Sequence, residues 1–118
     1  MFDEVLKSAL ARIEGAQCVL LAGLDGMPVA AAVAKGCPAT DVLAASLVDL
    51  FRKVTLAHRD AGLVPPVEFT SGGSAGHAAL RAVTPDYVLV AVFGSVGSLG
   101  RTRFELRKAA ALLEPELA

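Results

Sequence analysis

The run CVLLAGLDGMPVA, residues 18–30, contains the plainest structural signal in this chain of 118 residues. Its first five residues, CVLLA from Cys18 onward, are continuously apolar and too few for a helix, which is typical of a buried strand. Asp25-Gly26 is a strong hairpin signal, because this pair is favoured in the tightest turns between two strands. The apolar run at residues 28–33 predicts the partner strand, and Pro28 indicates that this strand begins there or lies at a sheet edge.

Helices are predicted on both sides of this hairpin. Residues 2–14 carry apolar side chains at the spacing of one helix face, and Gly15 is expected to end this first helix. After the hairpin, Thr40 has the side chain of an N-cap residue. We therefore expect a long helix over residues 41–61, with Gly62 just past its end.

Three strands and a last helix are predicted for the rest of the chain. The strands are expected at residues 67–70, 77–83 and 87–93, and the third, apolar on both faces, has the character of a central strand. Ser98 or Thr102 is expected to cap the last helix, and Glu114-Pro115 to stop it. Short connections favour antiparallel pairing, and amphipathic helices must cover the sheet, so the fold class is α+β.

Composition excludes several classes of protein. The length is typical of one domain, covering residues 1–118, and a 54% hydrophobic content is too high for a disordered segment. A net charge of −1 provides no general attraction for nucleic acid or an anionic membrane. No run approaches the roughly 18 apolar residues of a membrane span, and the start of the chain has no secretion signal. We therefore expect a cytoplasmic protein, in which Cys18 lies in the core, Cys37 lies in a loop and a disulfide is not expected.

The long helix has an apolar arc of roughly half its circumference, wider than the ~100° stripe that a helix on a sheet requires. One interpretation is a helix sunk deeply in its own core. We favour another, in which the strip through Val48 and Phe51 contacts a second chain, because a layered domain of this size leaves one side of such a helix uncovered. The expected dimer contacts are Leu47, Val48, Phe51 and Val54.

The sequence offers no residue set for catalysis, for a cofactor or for a metal. His58 and His77 fall on different predicted elements and belong to no metal-ligand motif. The glycine-rich run at residues 72–77 lacks the lysine of a phosphate loop and joins two strands. The run at residues 94–100 follows a strand and precedes a helix, but its spacing fails the dinucleotide-binding pattern.

The whole chain resembles the roadblock / dynein light chain family, in particular its single-domain bacterial and archaeal members of the MglB type. The resemblance rests on the strand, Asp-Gly turn and second strand of residues 18–30, on the long helix, on the turn and strand of residues 84–93, and on GSLGRTR at residues 97–103. It implies a three-layer α/β/α sandwich with the roadblock, profilin-like fold. In that fold a five-stranded antiparallel sheet carries the long helix on one face and the terminal helices on the other.

The resemblance also implies a function. Members of this type form homodimers in which the long helices pair and the short strand at residues 67–70 extends the sheet across both chains. They bind small Ras-like GTPases, some as activating proteins without catalytic residues of their own and others as scaffolds. We therefore expect a dimeric regulator of a small GTPase, with Arg52, Lys53 and Arg59 facing the partner.

Two alternatives stay open at this point. One is a non-catalytic scaffold or adaptor subunit of a motor or signalling complex, which would bind a GTPase without changing GTP hydrolysis. The other is a small-molecule sensor or an enzyme on a related scaffold, which would need a pocket with convergent polar groups.

Overall fold

The structure, a computed structural model, describes residues 1–94 and 98–118. Residues 95–97, part of the glycine- and serine-rich run at residues 94–100, lie outside the described residues. The elements follow the predicted order of helix, hairpin, long helix, three strands and helix. They are α1 (Phe2–Arg12), β1 (Ala16–Gly23), β2 (Pro28–Val33), α2 (Thr40–Asp60), β3 (Glu68–Gly72), β4 (Gly76–Thr84), β5 (Tyr87–Gly94) and α3 (Leu99–Leu117).

The strands form a five-stranded sheet in the order β2-β1-β5-β4-β3, and every neighbouring pair is antiparallel. β5 lies at the centre, as its apolar sequence predicts. β2 and β3 are the edge strands, and Pro28 is the first residue of β2, where its missing N–H group removes no central ladder bond.

Side chains that alternate along each strand build two cores, one on each face of the sheet. On β1, Val19 and Leu21 point to the face covered by α1 and α3, where they pack with Leu6 and Leu106. Leu20 points to the opposite face, in the core that α2 covers. The predicted three-layer α/β/α arrangement is therefore confirmed.

The turn between β1 and β2 is longer than its sequence signal suggests. Four residues separate Gly23 from Pro28. Gly26 has φ +85°, a conformation that glycine adopts without a steric penalty, and the Asp25 carboxylate accepts a hydrogen bond from the Met27 N–H at 3.0 Å. The aspartate and glycine thus serve the turn in the way their residue types predict.

The long helix begins and ends one residue earlier than predicted, at Thr40 and Asp60, and Gly62 lies just past its end as predicted. Leu63 N–H donates to His58 O at 2.8 Å and Gly62 N–H donates to Arg59 O at 3.1 Å, with Gly62 at φ +74°. These two bonds form a Schellman motif, which satisfies carbonyls that the helix itself leaves free. Thr40 is the first helical residue, not the N-cap, since Ala39 holds that position without a side-chain bond.

The last helix runs further than its sequence predicts. Ser98 is the N-cap, and its Oγ accepts a hydrogen bond from the Arg101 N–H at 3.1 Å. The expected stop at Glu114-Pro115 is wrong, because α3 continues through Pro115 to Leu117. Pro115 lies in the last turn, where the one backbone bond it removes would have reached the exposed residue Ala111.

Candidate docking surface

The side of α2 that faces the sheet is the one that carries Val48 and Phe51, which the sequence predicted to contact a second chain. Val48 is fully buried and Phe51 is 5% exposed, and both pack with Leu20 and Val90 in the sheet of the same chain. This corrects the interpretation that Val48 and Phe51 form surplus apolar surface. Within the predicted dimer contact set, these two side chains belong to the core of one chain.

The surplus apolar surface of α2 lies on the other margin of the arc. There, one side of α2 carries a row of half-buried apolar side chains, and we call this row the α2 flank. Leu47 and Val54, the other two predicted dimer contacts, belong to it. The α2 flank consists of Leu43, Leu47, Leu50 and Val54.

The part of the sheet next to the α2 flank is incompletely covered. α2 packs over β1, β2 and β5, whereas Phe69 on β3 and Ala78 and Ala82 on β4 point to the α2 side and stay half-buried. Phe69 is opposite Leu80 in the β3–β4 register, so it continues the same apolar face to the sheet edge. The face therefore has room for a further element beside α2.

A groove of about 410 Å³ separates the α2 flank from the β3–β4 hairpin. Leu43 and Leu47 form one wall, and Ala78 and Val92 lie on the sheet beneath it. His77 lies on the hairpin side, with its ring stacked on Phe93 at 5.2 Å between centroids. The groove is mostly apolar in its lining, which suits a hydrophobic helix better than a polar ligand.

A second groove, of about 480 Å³, lies at the other end of α2. Phe51 and Thr55 face the segment that joins α2 to β3. That segment carries three exposed apolar side chains, of which only Val67, in the expected strand at residues 67–70, was predicted to lie at a surface between chains. They are Leu63, Val64 and Val67.

Charged residues cover the outer side of α2. The Asp49 carboxylate forms ion pairs with Nζ of Lys53 at 3.1 Å and with Nη2 of Arg52 at 3.5 Å. The hydrogen bond and charge of Lys53, followed by those of Arg52, hold the pKa of Asp49 below its usual value.

The three predicted partner-facing cations are not equivalent. Arg52 also donates a hydrogen bond to the carbonyl oxygen of Leu24, in the turn between β1 and β2. Lys53 and Arg59 project further into solvent, with side chains 71% and 75% exposed. Arg59 lies 3.9 Å from Asp60, at the outer limit of an ion pair.

The described part of the chain, residues 1–94 and 98–118, contains no group of three histidine, cysteine or acidic side chains placed to hold a metal ion. His58 is bound locally, with Nδ1 3.0 Å from the Val64 carbonyl oxygen. Within the same residues, no helix is both long and apolar enough to cross a membrane.

Comparison with known proteins identifies the architecture. No protein-family model matches the sequence, and no curated protein is significantly similar to it. Among solved structures, MglB of Myxococcus xanthus superimposes with a TM-score of 0.89 at 20% identity, over 98% of this chain and 94% of that one. The chain has the roadblock fold.

Two further structures agree with the roadblock fold. A Roadblock/LC7 domain from Streptomyces avermitilis matches with a TM-score of 0.89 at 14% identity, over 98% of this chain and 96% of that one. An MglB described as having a tetrameric arrangement matches with a TM-score of 0.86 at 23% identity, over 95% of this chain and 84% of that one. The MglB-like likeness predicted from the turn and strand patterns is therefore confirmed at the level of the fold.

Proposed function

We propose that this chain forms a homodimer through the α2 flank and the open sheet surface beside it. The observation that supports this most directly is the half-buried row of Leu43, Leu47, Leu50 and Val54 next to a groove of about 410 Å³. The α2 helix of a second copy, laid antiparallel in that groove, covers both apolar surfaces at once. The tetrameric arrangement of a similar MglB is consistent with self-association through this fold.

The free edge of β3 supports the same dimer. β3 has five residues and lies at the end of the sheet, so one side of its backbone has no strand partner among the described residues. Pairing two copies of β3 across a two-fold axis satisfies those backbone groups and continues the apolar surface that includes Phe69.

The dimer is tested by measuring mass in solution. We expect a species of twice the 12.1 kDa chain mass at micromolar concentration, by light scattering or sedimentation. A monomer that persists at that concentration contradicts the proposal.

We further propose that the dimer is a cytoplasmic, single-domain module that binds a small Ras-like GTPase and regulates it without supplying catalytic residues. The support is the MglB-like fold together with the resemblance of the sequence to MglB-type proteins. Paired α2 helices present a platform whose outer side carries Lys53 and Arg59, both well exposed. Exposed cations of this kind steer an acidic partner surface and raise its association rate.

The GTPase proposal is tested with a purified Ras-like GTPase from the same genome. Binding is measured with the GTPase loaded with GDP or with a non-hydrolysable GTP analogue, and GTP turnover is measured with and without this protein. Faster turnover supports an activating role, and binding at unchanged turnover favours the scaffold alternative. The GTPase proposal is wrong if neither nucleotide state binds. That result would not affect the dimer proposal, which the solution mass tests separately.

A further inference from the structure

The two cysteines of the chain meet on the α2 side of the sheet. Cys18 lies on β1 and is fully buried in the core that includes Leu20 and Val90. Cys37 belongs to the loop between β2 and α2, is partly buried and packs against that same core. Residues that are 19 positions apart in sequence thus share one apolar site.

Backbone hydrogen bonds account for this meeting. The ladder between β1 and β2 continues one residue past β2, since Ala34 N–H donates to Gln17 O at 2.8 Å, directly beside the register pair of Cys18 and Val33. Cys37 N–H then donates to Ala34 O at 3.2 Å, and Gly36 has φ +86°. A four-residue turn with a positive φ at its third residue is a type II turn, which returns the chain over the strand it has just left. Cys37 is thereby returned toward β1 and packs against the core that contains Cys18, whose neighbouring group it is.

The two thiols have different environments. Burial raises the pKa of Cys18 to about 12, and the neighbouring Cys37 sulfur adds to this effect, so Cys18 is protonated at neutral pH. The Cys37 thiol lies nearer to solvent and donates to the Pro38 carbonyl oxygen at 3.1 Å. An oxidant in solution therefore reaches Cys37 first, with Cys18 positioned behind it as the second thiol.

We propose that Cys18 and Cys37 form an oxidisable thiol pair, which hydrogen peroxide converts into an intramolecular disulfide that joins β1 to the loop before α2. In the first step the Cys37 thiolate attacks one peroxide oxygen, forming a sulfenic acid and releasing hydroxide. In the second step the Cys18 sulfur attacks the Cys37 sulfur, the S–O bond breaks, and the leaving hydroxide takes the Cys18 proton as water. Peroxide is reduced to water, and both thiols are oxidised.

The bond has a consequence for α2. It closes a loop around the β1–β2 hairpin and fixes the segment from which α2 begins, so it restricts the unfolded chain more than the folded one. We expect the oxidised protein to have a higher Tm than the reduced protein, with the difference abolished by a thiol reductant.

The pair is tested on the full chain by peroxide treatment followed by unfolding, alkylation with N-ethylmaleimide and intact mass measurement. The expected product has lost two hydrogens, accepts no alkyl group and runs as a single chain without reductant. Cys18→Ala is expected to give a Cys37 sulfenic acid that dimedone traps once. Cys37→Ala is expected to resist peroxide, because its remaining thiol is buried.

Three results would overturn the proposal. The first is a wild-type product with oxygen added at Cys37 and Cys18 still open to alkylation. The second is a disulfide between two chains in place of one within a chain. The third is peroxide consumption by Cys37→Ala equal to that of the wild type. The wild-type mass alone decides between the first two outcomes and the proposed one, so the test does not depend on either variant folding.

Discussion

Glu68 and Arg81 hold the edge strand β3 to its neighbour: Nη1 of Arg81 donates to Oε2 of Glu68 at 3.1 Å, and the two residues are opposite one another in the β3–β4 register. Both side chains are about three-quarters buried, at 25% and 22% exposure. Arg103 of α3 donates to the other carboxylate oxygen, so Glu68 connects β3 to the helix layer as well. The strand proposed to pair two copies is thus held on its inner side by one carboxylate in addition to its backbone pairing with β4.

The Glu68 carboxylate is expected to make stability depend on acid. The hydrogen bond from Arg103 and its charge, with a smaller contribution from Arg81, hold the pKa of Glu68 below its usual value, although burial acts in the opposite direction. Because the folded-state pKa is the lower one, the stabilisation is complete above the unfolded-state pKa of about 4.3. It is lost as the pH falls through the folded-state pKa. We expect Glu68→Gln to lower the free energy of unfolding by about 1 kcal/mol at pH 7.

Urea unfolding followed by circular dichroism, at neutral pH and in steps down through the acid range, measures this effect. The wild type is expected to lose more stability than Glu68→Gln over the acid steps, so that the two curves converge. Glu116→Gln is the matched control, because Glu116 is exposed and forms no ion pair within the described residues. Parallel pH curves for wild type and Glu68→Gln would contradict the assignment.

A charge on the sheet-facing side of α2 and a charge on the α2 flank are expected to act differently. Phe51→Glu places a carboxylate in a core position that is 5% exposed, which costs several kcal/mol and abolishes the folded protomer. Leu47→Glu places the same charge at a half-buried margin, so we expect a folded protein that is monomeric. Circular dichroism and solution mass, measured on the same samples, distinguish the two outcomes.

Leu112→Glu is the control for this pair, because Leu112 is an exposed leucine on α3, in the layer on the opposite side of the sheet. It should change neither folding nor mass. If Phe51→Glu gave a folded monomer and Leu47→Glu stayed a dimer, the contact between chains would lie where the width of the helical arc alone placed it.

The contrast between Phe51 and Leu47 also shows which features of the fold could be predicted from the sequence and which could not. Element order and antiparallel pairing were predictable because helical and strand periodicities, Asp25-Gly26 and Gly62 are local signals. A helical wheel gives the width of an apolar arc, but not which of its margins lies on the sheet. That choice depends on how α2 crosses β1, β2 and β5, which is a property of the whole fold.

Contacts between residues far apart in sequence could not be predicted either, because they too depend on the whole fold. Nothing near Glu68 in sequence indicates Arg103, which is 35 positions away, and nothing near Arg52 indicates the Leu24 carbonyl. The meeting of Cys18 and Cys37 depends on a type II turn whose direction the glycine permits but does not specify.

Arg52 is expected to stabilise the protomer, whereas its neighbour Lys53 is not. Arg52 joins α2 to the β1–β2 turn through the Leu24 carbonyl oxygen, and Arg52→Met removes that bond while keeping an apolar stem of similar length. Since the side chain is 45% exposed, we expect a loss of only about 0.5–1 kcal/mol. Lys53→Met removes an exposed ion pair alone and should lie within about 0.5 kcal/mol of the wild type. Equal losses for the two variants in urea unfolding would show that the Leu24 contact contributes nothing.

Lys53 and Arg59 are expected to contact the proposed GTPase, because their side chains are 71% and 75% exposed and each pairs with a carboxylate that is itself at least half exposed. The double reversal Lys53→Glu/Arg59→Glu should weaken GTPase binding by about tenfold, mainly through slower association, because exposed charges at an interface rim act on the encounter rate. The difference in affinity between this variant and the wild type should shrink as salt is added, since salt screens the interaction between exposed charges on the two proteins. Solution mass and urea stability should stay at wild-type values.

Arg107→Glu is the matched control, because Arg107 is an exposed cation on α3, on the other side of the sheet. This variant should bind the GTPase as the wild type does. Binding that is unaffected by the double reversal, or affected equally by Arg107→Glu, would place the GTPase on a surface other than the outer side of α2.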